Sequence, residues 1–216
     1  IDRRTFLARV GKFAVGTVTA AGLLGALNPR FAEAQQIAPT DARLEARYVE
    51  YDSPKGHGKA RGYLVRPAKA KGSLPLVLVV HENRGLNPHI EDVARRVALE
   101  QFVALAPDAL FPLGGYPGDE DRARTLFQTL DQPKAFEDFI AATHFLRAQP
   151  GTGDRLGVVG FCYGGAIANR LAVALPELAA AVPFYGSAPP LDDVGAIKAE
   201  LLLHFAANDE RVNASW

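Results

Sequence analysis

The stretch "RLGVVGFCYGGAIANRLAVAL", residues 155–175, constrains the fold more than any other. An apolar, β-branched run enters Gly160-x-Cys162-x-Gly164 and leaves it with helical character, the pattern of a strand turning abruptly into a helix. Side chains two residues either side of so sharp a corner would collide, and residues without a Cβ remove the collision. The apex is the only cysteine of a chain that has no methionine. Two readings of Cys162 stand at this point: a nucleophile raised above a sheet, or a small apolar side chain buried in a glycine-rich turn.

The same alternation runs along the chain. "ARYVEYDS" and "KARGYLVRP" read as two strands joined by the turn "SPKGHG", with His57 in solvent. "LPLVLVVHE" reads as a strand covered on both faces. "NPHIEDVARRVALE" follows as a helix, with Asn87 as N-cap, Pro88 in the first turn, and Ile90, Val93, Ala94 and Val97 on one face. "FVALAPD" is a further buried strand. Residues 108–132 break the rhythm and suggest a lid or substrate loop, unless part of them is helical. "PKAFEDFIAATHFLRAQ" then predicts an amphipathic helix with Phe136, Phe139, Ile140, Thr143 and Leu146 inward and His144 at the surface. Strands "AAAVPFYG" and "AELLLHFAAND" close the series, the second buried, with His204 packed in the sheet. Strand–helix alternation with apolar strands predicts a mostly parallel sheet with helices on both faces.

The 216 residues, 48% of them hydrophobic, suffice for one domain with a sizeable core. The 24 basic and 24 acidic side chains cancel, so nothing points to nucleic acid or an anionic membrane as partner. Residues 1–34 read as an address. Arg3 and Arg4 precede Phe6 and Leu7, a Gly/Ala-rich stretch runs from Val10 to Leu27, and "FAEAQQ" offers a small-x-small cleavage site ending at Ala34. This resembles a twin-arginine export signal, which implies the twin-arginine machinery as a partner and a periplasmic or secreted product. Lys12 and several glycines make the stretch a poor permanent membrane span; an amphipathic N-terminal helix or a plain anchor is the alternative. Residues 35–42 then form a polar linker, and 43–216 the folded domain.

In such a sheet, chemistry collects where strands end and helices begin. At the elbow, the amide of Tyr163 would lie beside the sulfur, and the start of the helix favours a thiolate. After the strand at 74–82, Asn83 is placed to offer a second oxyanion amide, and Glu82 either projects into the same cleft or is a surface carboxylate. His81 alternates to the other face and reads as structural. "HENR" is not HExxH, and His89 lies seven residues from Glu82, so a metal site has little support. Asp209, in the polar turn after the last strand, is either the acid of a nucleophile–acid–histidine chain order or a turn cap.

"HENRGLNPHIEDVARR", "GFCYGG" and "HFAANDERVN" together resemble the dienelactone hydrolase family of α/β-hydrolases, from residue 43 to the end. The resemblance implies hydrolysis of a small carboxylic ester or enol-lactone without a cofactor. It makes Cys162 the nucleophile, Asp209 the triad acid, Glu82 a carboxylate that helps activate the thiol, and Asn83 and Tyr163 the oxyanion donors. Family arginines that hold a substrate carboxylate have Arg122 and Arg124 as nearby counterparts. The family's triad histidine follows the acid, yet the sequence stops seven residues past Asp209, and none of its histidines occupies that place. The chain therefore reads as truncated, lacking the last strand and helix, inactive by itself, and with an open sheet edge. A broad carboxylesterase, a redox-responsive binding protein and a structural exported protein with an inert thiol are the alternatives.

Overall fold

The computed structural model describes residues 35–70 and 72–216, so the export-signal expectation for 1–34 lies outside the described residues. Seven strands form one sheet in the order β1-β2-β4-β3-β5-β6-β7. They are β1 (Leu44–Ser53), β2 (Gly58–Pro67), β3 (Leu74–Val80), β4 (Val103–Pro107), β5 (Thr152–Phe161), β6 (Ala180–Phe184) and β7 (Glu200–Leu201). Only β2 runs against the rest: it pairs antiparallel with β1 and β4, whereas the β4, β3, β5, β6 and β7 pairings are parallel. The helices are α1 (Pro88–Leu99), α2 (Glu120–Phe127), α3 (Gln132–Arg147), α4 (Tyr163–Ala174) and the single-turn α5 (Glu210–Asn213). No described helix is long and apolar enough to cross a membrane.

Strand alternation sorts the core into two layers. On one face, Leu76, Leu78, Leu156 and Val158 pack against Phe139, Ala142 and Leu146 of α3 and Ile167 and Leu171 of α4. On the other, Val65, Val79 and Ala104 pack against Ile90, Ala94 and Ala98 of α1. Asn87 caps α1 as expected, its Oδ1 accepting from the Ile90 N–H at 3.1 Å. The buried stripe of α3 is rotated from expectation. Ala135, Phe139, Ala142 and Leu146 lie innermost and Phe136 and Ile140 at its margin, because the small residues let the helix lie close to the sheet.

The 108–132 segment takes its helical alternative: it contains a 3₁₀ turn at Phe111–Leu113 and all of α2, capped by Asp119. Two other local expectations are corrected. His57 is not free in solvent: its Nδ1 lies 2.6 Å from Oδ2 of buried Asp138 on α3. The last strand is not buried, since β7 has two residues, Leu202 and Phe205 beyond it are exposed, and His204 is exposed. A strand with only one neighbour can bury a single edge, which is why its leucines stay in water. His204 keeps a sheet contact through one bridge to Phe184, with the two rings stacked 4.2 Å apart.

The polar segment at residue 35 is fastened rather than loose. Oδ1 of buried Asp92 accepts from the Gln36 and Ile37 N–H groups at 3.0 and 2.8 Å. Arg95, fully buried, donates to the Ile37 carbonyl at 2.9 Å, the Tyr63 hydroxyl at 3.1 Å and the Gln35 amide oxygen at 3.2 Å. A buried guanidinium is tolerable only when its N–H groups are matched, and residues 35–37 accept two of these three hydrogen bonds. Replacing Arg95 with Met strands Asp92 in the interior and should cost about 3 kcal/mol. A fall in the urea midpoint at unchanged m-value would show it.

Candidate active site

Cys162 sits between β5 and α4 at φ 55° and ψ −110°. A positive φ at a residue bearing a Cβ costs on the order of 1–3 kcal/mol and persists only where the surroundings enforce it. Its N–H donates to the Phe184 carbonyl at 3.0 Å, and its carbonyl accepts from the Ala166 N–H at 3.1 Å. Cys162 as a residue is partly buried, neither fully sealed nor fully open to solvent.

The glycines around it are there for backbone contact. A Cβ on Gly160 would stand 1.9 Å from the Gly164 carbonyl oxygen, and one on Gly164 would stand 2.2 Å from that of Val80. The contact continues beyond the residues singled out by the motif. A Cβ on Gly165 would lie 2.7 Å from the Phe184 oxygen, and one on Gly186 2.3 Å from the Gly165 carbonyl carbon. Gly165 was visible as the second glycine of "YGGA"; Gly186 had only the "FYG" strand end to mark it. Helix α4 is thereby held directly over the C-terminal ends of β3 and β6.

Tyr163, the first residue of α4, is fastened by its ring: it meets Phe127 edge-on at 4.7 Å and lies nearly parallel to His81 at 6.2 Å. Its main-chain N–H belongs to the first helical turn, whose amides lack intrahelical acceptors. Glu82 and Asn83 follow the end of β3 and are half-buried. Among the described residues, no backbone acceptor takes the Asn83 N–H. Asn83 Oδ1 accepts from Arg84, which also lies 3.4 Å from Glu120 of α2. Glu120 further accepts from the Tyr116 hydroxyl at 2.9 Å and the Asn87 amide at 3.2 Å, tying the 82–87 loop to the 108–127 segment.

His81 shapes this loop from beneath and is fully buried. Its Nε2 accepts from the Ala109 N–H at 3.1 Å, so Nδ1 carries the proton and donates to the Glu82 carbonyl. Burial holds its pKa below the ordinary 6.5. Tyr185, which sequence reasoning passed over, closes the site from the end of β6. Its hydroxyl donates to Glu82 Oε1 at 2.6 Å, and burial together with the carboxylate pushes its pKa well up.

Arg122 and Arg124 are exposed on α2, Arg124 facing Asp121 at 3.3 Å; the arginine of the 82–87 loop is Arg84. Asp209 caps α5, its Oδ1 accepting from the Val212 N–H at 3.1 Å. Among the described residues no group of histidine, cysteine, aspartate or glutamate side chains could hold a metal ion. A groove of about 770 Å³ runs along Val77, Val97, Val159 and Val182, and Glu82, Asn83, Cys162, Tyr163 and Asp209 are not among the residues that line it.

Two outcomes follow from this packing. Gly164→Ala should destabilise the fold by more than about 3 kcal/mol or prevent folding, whereas Gly195→Ala, where nothing lies within 4 Å, should change stability by less than about 1 kcal/mol. Thermal unfolding of the pair decides it. His81 binds its proton less readily folded than unfolded, so its contribution is complete above about pH 6.5 and is lost as pH falls below that value. The His81→Gln chain should show a flatter stability profile below about pH 6.5 by chemical denaturation.

With the site described, known proteins can be set beside it. The profile of the dienelactone hydrolase family matches residues 60–216. The Escherichia coli protein named "Putative hydrolase fragment YghX" is 56% identical over 114 residues, covering 53% of this chain and 97% of that protein. A Yersinia pestis protein named "Putative carboxymethylenebutenolidase" is 32% identical over 127 residues, 57% of this chain and 48% of its own. The chain thus spans about half the length of that relative. The solved structure named "m3DLH" superposes with a TM-score of 0.67 at 30% identity, covering 80% of this chain and 75% of that one. The sheet order, the glycine-locked elbow and these likenesses agree: the chain belongs to the dienelactone hydrolase family and carries the α/β-hydrolase fold.

Proposed function

We propose that this protein hydrolyses a small carboxylic ester or enol-lactone through Cys162, as the carboxymethylenebutenolidase name of its relative suggests. The observation that carries the reading is the backbone at Cys162: a strained, positive-φ cysteine at the strand–helix corner, partly exposed and locked by four glycines. Strain at such a point serves to present a side chain, since a buried filler would gain nothing from it.

The chemistry is acyl transfer. The Cys162 sulfur, its proton passing to Glu82, attacks the carbonyl carbon, and the carbonyl oxygen becomes an oxyanion facing the Asn83 and Tyr163 amides. Collapse breaks the C–O bond; the alkoxide or enolate leaves with a proton and a thioester remains. Water then attacks the thioester, releasing the carboxylic acid and restoring the thiol. An enolate is a weakly basic leaving group, which suits a sulfur nucleophile better than an amide would. For the second step we assign Asp209 as the acid behind a histidine placed later in the family's chain order. The sequence of residues 1–34 supports export of the protein by the twin-arginine route.

Acylation is the step to measure, because it needs only the nucleophile and the oxyanion donors. Incubated with an activated aryl ester, the chain should gain one acyl mass on the peptide containing Cys162. Cys162→Ala should lose that adduct and at least about a hundredfold in release of the aryl alcohol. Undiminished release by Cys162→Ala, or an adduct on another residue, overturns the proposal.

A further inference from the structure

We propose that Tyr185 is a positioning residue for this thiol chemistry, holding the Glu82 carboxylate in place to act on Cys162; this rests on the reading of Cys162 as nucleophile. Three observations converge on it. Its hydroxyl donates to Glu82 Oε1 at 2.6 Å from the neighbouring strand. Its backbone has φ 42°, an outlier for so bulky a residue. The Cys162 N–H donates at 3.0 Å to the carbonyl of Phe184, the residue before Tyr185, which puts the two strand ends side by side.

The strain is enforced from two sides. The Tyr185 N–H donates to the His204 carbonyl at 2.8 Å, and the following residue, Gly186, is wedged against Gly165 of the elbow. The corner that raises the sulfur therefore also aims the phenol. A phenol that stays protonated can only donate to a carboxylate, which occupies one lone pair of one oxygen and leaves Oε2 without that restraint. Among the described residues no side chain hydrogen-bonds the thiol, so Glu82 reaches it only if its carboxylate is kept at the elbow. Arg84, on the same loop and paired with Glu120, is the competing attraction. The other charged or titratable groups around Glu82 are buried His81 below it and Asp108 after β4.

A double-mutant cycle on the full chain tests this, read as the rate of Cys162 alkylation by iodoacetamide from about pH 5 to pH 10. Tyr185→Phe keeps the ring, and near-ultraviolet circular dichroism checks that the fold is kept. Alone it should slow alkylation by about tenfold near neutral pH, and Glu82→Gln by at least as much. In the Glu82→Gln background, Tyr185→Phe should change nothing and leave the pH profile superimposed. An equal slowing in both backgrounds, or none in either, overturns the role assigned to Tyr185. A faster reaction in Glu82→Gln refutes Glu82 as the activating carboxylate and Tyr185 with it. Failure of Cys162 to acquire an acyl group refutes the hydrolase reading, separately from whether the two mutations are coupled.

Discussion

Backbone touching backbone is the constraint on which the rest of this structure depends. Gly160, Gly164, Gly165 and Gly186 let α4 lie directly on the ends of β3, β5 and β6, closer than any side chain would permit. That approach makes the strand–helix corner so tight that Cys162 must adopt a positive φ, and it brings Tyr185 and Glu82 to the same place. Each glycine costs conformational entropy on folding, so four of them clustered at one corner mean that the contact is worth more than the disorder they forgo. The apolar layers on either side are generic by comparison, since many combinations of Leu, Val and Ala would fill them.

Around that corner the polar groups form two shells with different tasks. Buried, neutral His81 joins the Glu82 carbonyl to the Ala109 amide and so sets the path of the 82–87 loop. Charging it would bring a proton to Nε2 where the Ala109 N–H already points, so burial and that bond favour the neutral ring and outweigh the Glu82 carbonyl, which favours the charged one. Glu120 then gathers Arg84, Tyr116 and Asn87, so the loop and the 108–127 excursion move as one piece. The sulfur is left with no hydrogen-bonding side chain of its own among the described residues, while the Glu82 carboxylate is held by the Tyr185 phenol.

What was legible in the sequence tracks how local each determinant is. The strands, α1 with its Asn87 cap, and the elbow at Cys162 are written in short windows, where hydrophobic period and glycine placement suffice. Glu82 and Asn83 follow the end of β3 directly, so a local window is enough to set them there. Tyr185 and Gly186 were passed over because their meaning comes from β5 and β6 lying side by side, a pairing no local window contains. His57 was read as solvated for the same reason: its partner Asp138 is 81 residues away. The final strand failed in the opposite sense. "ELLLHF" has the composition of a core strand, but composition does not say whether a second neighbour is present, and at β7 only one is.

The distribution of strain, rather than of empty space, marks where function lies in this molecule. A groove of about 770 Å³ runs along the middle of the sheet, among Val77, Val159 and Val182, and no residue lining it has a positive φ. Among the described residues other than glycine, positive φ occurs at Gln101, Cys162 and Tyr185. Gln101 follows the C-cap of α1, where a left-handed residue merely ends a helix. The other two stand at the ends of adjacent parallel strands, joined by the Cys162 N–H to Phe184 carbonyl bond and by the Gly165–Gly186 contact. Relaxing either one would require α4 to lift off the sheet, which the 0% exposure of Leu171 and Ala168 beneath it forbids. The hydrophobic core of α4 thus supplies the free energy that holds two unfavourable dihedrals, and with them the sulfur and the phenol, in register.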